Sequence, residues 1–98
     1  MQATINKNFL GQVVVTRAIN DTIADSASFT NFIFRSLGRF MRKDWGDLCA
    51  DDKQLNDDAL ETGNDRLYAR YNNNDGEDIL IVTEWDRSYT TIMFRSEY

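Results

Sequence analysis

The sequence predicts a single α+β domain over residues 1–98, a small antiparallel sheet of three to four strands with helices packed on one face. Three observations lead there. The last third alternates apolar and polar residues with period two, broken by turn-forming clusters. The stretch after Ser28 repeats its apolar residues at helical spacing. The chain has 98 residues, 42% of them hydrophobic and 12% aromatic, which suits one modest core and no more.

The elements follow in order. Gly11 to Thr16 contains three consecutive valines, which are stiff at χ1 and favour a strand. Asn20 to Ala24 suits a short helix or turn. Ser28 is placed to cap a longer helix, whose stripe is Phe29, Phe32, Ile33, Leu37, Phe40 and Met41. Gly38 interrupts that helix at a cost of about 1 kcal/mol against alanine, and close packing would account for it. Asp44 to Cys49 breaks the chain, with Gly46 suited to positive φ and Asp47 to capping the next helix. That helix runs from Asp51 to Thr62 on a narrow apolar side of Leu55, Ala59 and Leu60, and ends at Gly63-Asn64. Arg66 to Tyr71 sets Leu67, Ala69 and Tyr71 on one face of a strand. Ile79 to Val82 is apolar on both faces and should be the most buried strand. The short link Trp85 to Ser88 then implies an antiparallel hairpin into Tyr89–Arg95.

Charge is sorted by segment. Residues 1–43 carry six Lys/Arg against two carboxylates; residues 44–65 carry eight carboxylates against Lys53 alone. The net charge is −5, and histidine is absent. Ser–His–Asp and Cys–His nucleophiles are therefore excluded within this chain. Paired carboxylates could cleave glycosides only with a cleft that so small a domain rarely offers. The sequence thus predicts no catalytic residues, no cofactor and no metal site. Cys49, the one cysteine, reads as a small buried side chain and gives no sign of an oxidising compartment. No run approaches the roughly 20 apolar residues of a membrane span, and Met1 to Phe9 lacks the pattern of a signal peptide. The expected location is the cytoplasm.

Two groups of blocks carry a resemblance: Asp44-Trp45-Gly46-Asp47-Leu48-Cys49 with Asp51-Asp52-Lys53, Asn56-Asp57 and Ala59-Leu60, then Thr83 through Thr91 and the final Ser96-Glu97-Tyr98. From Gly11 onward the chain resembles a family of small bacterial proteins labelled plasmid-related. It departs from that pattern at Trp85, where a small residue is usual, and over 29–43, where the family segment is shorter and less aromatic. The resemblance implies no activity. It implies a plasmid or phage setting, in which small acidic proteins are often inhibitors of host defence complexes of the anti-CRISPR or anti-restriction kind.

Several surfaces are candidates for binding. Asp51, Asp52, Asp57, Asp58 and Glu61 would gather carboxylates on a helix and could stand in for phosphates; a solvated face at a helix N-terminus is the commoner explanation of such a charge run. Asp44, Trp45 and Asp47 would form an anchor loop, or only a joint between helices. Arg35, Arg39, Arg42 and Lys43 would form a basic face for phosphates, or complement a helix dipole and pair with Asp44 and Asp47. Asp86-Arg87-Ser88 would be a site or a turn in which Asp86 bonds its own backbone two residues on. The leading expectation is a non-catalytic mobile-element protein, monomer or homodimer, that presents its acidic segment to a basic surface of a host protein complex. The alternative is a small nucleic-acid-binding accessory protein using Arg35–Lys43. Surplus aromatics such as Phe34 would suit a dimerising module.

Overall fold

The computed structural model describes residues 9–63 and 65–98. The order of elements is β1 (Gln12–Val15), α1 (Arg17–Asp25), α2 (Ala27–Met41), α3 (Ala50–Thr62), β2 (Leu67–Tyr71), β3 (Ile79–Thr83) and β4 (Tyr89–Phe94), with a 3₁₀ turn at Arg95–Glu97. The fold is α+β. The expectation of a wholly antiparallel sheet is corrected: the strand order is β1-β4-β3-β2, and β1 runs parallel to β4. Only strands joined by a tight turn are bound to pair antiparallel. Between β1 and the other strands lie three helices, so its direction was free to be set by the fold.

The meander β2-β3-β4 is antiparallel throughout, with Ala69 opposite Ile81 and Ile81 opposite Ile92. All five residues of the central strand β3 are buried. Leu67, Ala69, Tyr71, Ile79, Ile81 and Ile92 form the core together with Ile19, Phe29, Ile33 and Phe40 from the helices. Thr83 and Thr90, also buried, pair their hydroxyls at 2.7 Å. Thr90 spends its proton on the Leu10 carbonyl at 2.7 Å, so Thr83 is the donor between them.

Helix starts differ from the expected ones. Thr16 caps α1 by accepting from the Ile19 N–H. Ser26, not Ser28, caps α2, accepting from Phe29 N–H at 3.1 Å, and Ser28 falls in the first turn with its hydroxyl on that of Ser26. Nor does Asp47 cap α3. Cys49 holds that position without a side-chain bond, and it is exposed rather than buried. Asp47 instead accepts from the Asn72 N–H at 2.9 Å. Gly63 ends α3 in the left-handed conformation, as expected.

The outer edge of β2 is closed by the segment that leads into α3. Gly46 makes a parallel bridge to Arg70, and Asp47 N–H donates to the Arg70 carbonyl at 2.7 Å. Further along the edge, the Asn56 side chain takes over. Its amide donates to the Tyr68 carbonyl at 2.7 Å and its oxygen accepts from the Tyr68 N–H at 3.1 Å. A single side chain thereby copies the pairing of a strand residue and fastens α3 to the sheet. Among the described residues, no helix is long and apolar enough to cross a membrane.

Candidate protein-interaction surface

Asn56 fixes which side of α3 faces the protein. It is 4% exposed and shares the inner side with Ala59, whereas Leu55 is 64% exposed. The expected apolar side of Leu55, Ala59 and Leu60 is therefore rotated by about one residue, since a polar residue with both of its hydrogen bonds made occupies the inner position. The rotation turns the carboxylates outward. Asp51, Asp52, Asp57, Asp58 and Glu61 are all exposed. Helical spacing sets Asp51, Asp58 and Glu61 on one face, about 10 and 5 Å apart along the axis.

Their partners differ. Asp57 accepts from the Trp45 indole N–H at 2.9 Å and is tied to the core edge. Asp58 accepts from the Gln54 amide at 3.0 Å, a neutral donor that leaves its charge in place. Asp51, Asp52 and Glu61 accept no hydrogen bond from another described residue. The one ion pair among the described residues is Arg39 to Asp44 at 2.7 Å, and it involves none of these carboxylates. Asp51 and Asp52 lie in the first turn, where the helix dipole favours negative charge.

Other residues join the surface without a signal in sequence. Beside Leu55 lies a shallow pocket of about 350 Å³ lined by Asp52, Tyr68 and Tyr98. The Arg66 guanidinium stacks over the rings of Tyr68 and Tyr98 and donates to the Tyr98 hydroxyl. Tyr98 is 62% exposed. At the far end of the helix, Arg87 locks α3 to the β3–β4 turn. Its guanidinium donates to the carbonyls of Ala59, Asp65, Glu84 and Trp85, at 2.7 to 3.2 Å. A cation on the last carbonyls of α3 also complements the helix dipole. Within that turn Asp86 accepts from the Ser88 N–H at 3.0 Å, and the Ser88 hydroxyl first, with this N–H second, holds its carboxyl below the usual carboxylate range.

Of the remaining candidates, Trp45, Asp44 and Arg39 are used within the fold. Trp45 is 3% exposed and packs edge-on against Phe40 at 5.3 Å. Asp44 bonds Arg39, which holds its carboxyl below its ordinary range and raises the Arg39 guanidinium in turn. Asp44 also receives the Tyr71 hydroxyl on its carbonyl at 2.7 Å, and burial pushes that phenol upward. Arg39 sits over the Tyr71 ring at 5.0 Å. Arg35, Arg42 and Lys43 are exposed, so the basic stripe is divided between a structural member and free ones. Comparison with known proteins returns nothing to place beside this geometry: no family model, no curated protein and no solved structure matches the chain.

Proposed function

We propose that the protein is a non-catalytic binding module that docks the outer face of α3 onto a basic surface of a host protein complex. The carrying observation is that the carboxylates of Asp51, Asp52 and Glu61 form no ion pair with another described residue while exposed Leu55 stands between them. Unneutralised charge around an apolar side chain suits a partner that brings Lys or Arg to the rim and a small cleft to Leu55. Such rows of carboxylates act where phosphates would, so the fitting targets are proteins built to hold nucleic acid. The plasmid or phage setting, and with it inhibition of a nucleic-acid-targeting defence complex in the cytoplasm, rests on the residue blocks around Asp44–Cys49 and Thr83–Thr91.

The test is affinity capture from bacterial lysate with the wild-type chain and with a variant carrying Asp51→Asn, Asp52→Asn, Asp58→Asn and Glu61→Gln. Asp57 is spared because it holds Trp45. The expected result is a protein retained by the wild type, lost with the variant and displaced by added nucleic acid. An unchanged set of captured proteins from a folded variant would refute the proposal.

A further inference from the structure

A groove of about 1000 Å³ differs in chemistry from the acidic face. It runs between α2 and the β2–β3 loop. Arg35 and Arg42 line it from the helix, two turns apart, and Asn72 and Asn74 line it from the loop. Among the described residues, neither guanidinium has a hydrogen bond or an ion pair. Phe34, 67% exposed, stands at the same wall.

Gly38 is the second observation. It lies in the middle of α2, where glycine costs stability, and its conformation does not require it, since its φ is not among the positive ones. Close packing, the reason expected from sequence, involves no other element of the fold. A Cβ added there would meet only the Arg42 guanidinium, at 3.4 Å. The missing side chain leaves the helix backbone in the lining of the groove, between the two arginines, with the flexible Arg42 guanidinium over it. A glycine so placed lets a ligand approach the backbone closely.

We infer that this groove binds a single strand of nucleic acid, with phosphates along Arg35 and Arg42 over Gly38 and bases turned toward the asparagine loop. Arginine supplies the fork that phosphate accepts, asparagine amides can read base edges, and Phe34 offers a ring for stacking. The opposite wall also carries Asp75 and Glu77, and Glu77 accepts from the Ser96 N–H at 2.7 Å. Those carboxylates decide between ligands. A duplex would bring phosphates to both walls, and an acidic peptide would bring carboxylates to both, whereas a single strand keeps its charge on one side. The net charge of −5 sets the expectation of a weak, salt-sensitive complex.

The experiment is fluorescence anisotropy of a labelled 15-nucleotide deoxythymidine strand titrated with the full chain. With two phosphates neutralised, raising salt from about 50 to about 200 mM should weaken binding roughly sevenfold. Arg35→Gln with Arg42→Gln should reduce affinity at least tenfold. Gly38→Leu should do the same without lowering the melting temperature, because leucine favours helix; a merely structural glycine would give the opposite pattern. Charge-neutral α3, as in the fourfold variant above, should bind the strand at least as well as wild type, which separates this site from the protein-binding face. No anisotropy change by about 100 μM protein, wild-type affinity in the double-glutamine or Gly38→Leu variant, or equal competition by a duplex or a polyglutamate peptide would each overturn the assignment.

Discussion

Replacing Asn56 with Asp changes one atom group and should disconnect the acidic helix from the sheet. The Asn56 amide nitrogen lies 2.7 Å from the Tyr68 carbonyl, and its oxygen lies 3.1 Å from the Tyr68 N–H. In Asn56→Asp the first bond becomes oxygen against oxygen, inside a site that is 4% exposed. One hydrogen bond is lost, the Tyr68 carbonyl is left unpaired and a carboxylate is desolvated. An unpaired buried group costs about 1–3 kcal/mol and more when charge is involved, so a loss of about 2–4 kcal/mol is expected at pH 7. For a domain this size that is a fall in melting temperature of roughly 10–30 °C. The pH dependence identifies the cause. Once protonated, the introduced carboxyl can donate to the Tyr68 carbonyl, so its folded pKa lies above the unfolded value. That stabilisation is fully present below about pH 4 and disappears as pH rises through the folded pKa. Urea unfolding of both proteins from pH 4 to pH 8 should show a penalty that grows with pH. A penalty independent of pH, or a variant as stable as wild type, would refute the role given to Asn56.

Three further outcomes follow from the same geometry. Ile81→Ala, at the centre of the buried strand, should cost about 2–5 kcal/mol in chemical denaturation, and an unchanged midpoint would show that β3 is not core. Arg87→Met should destabilise by about 1–3 kcal/mol and speed hydrogen exchange at the Gly63 amide, which donates to Ala59 beside the lost guanidinium; unchanged exchange there would contradict the lock. Gly46→Ala should be worse than a surface change by more than about 2 kcal/mol, because its φ is +78° and a Cβ would lie 2.1 Å from the Arg70 carbonyl oxygen.

The meander was legible because its signals are local. Leu67, Ala69 and Tyr71 repeat with period two, Ile79–Val82 is apolar on both faces, and all lie where the sequence predicts them. The parallel partner of β1 was not legible, since three valines specify a strand and say nothing of a neighbour more than seventy residues away. Around α3 the sequence misled through polarity. Leu55 reads as inward and Asn56 as outward, and the order reverses only when the edge of β2 is there to satisfy the asparagine. Trp45 reads more readily as cover for the core edge than as an anchor, and the structure buries it with its indole proton on Asp57. The segregation of charge between residues 1–43 and 44–65 was plain in the chain, but the side of α3 that faces out is set by Asn56.

The central claim is that unneutralised carboxylates on α3 carry the recognition of a basic protein. It is tested most directly by the affinity of a captured partner for the wild type and for the fourfold Asp51→Asn, Asp52→Asn, Asp58→Asn, Glu61→Gln variant, measured by surface plasmon resonance from about 50 to about 300 mM salt. Exposed carboxylates contribute about 0.3–1 kcal/mol each to stability, so the variant should stay folded. The account predicts wild-type binding that weakens steeply with salt, mostly through slower association, and variant binding reduced by at least a hundredfold at the lowest salt. A folded variant that binds as tightly as wild type at every salt concentration would contradict it.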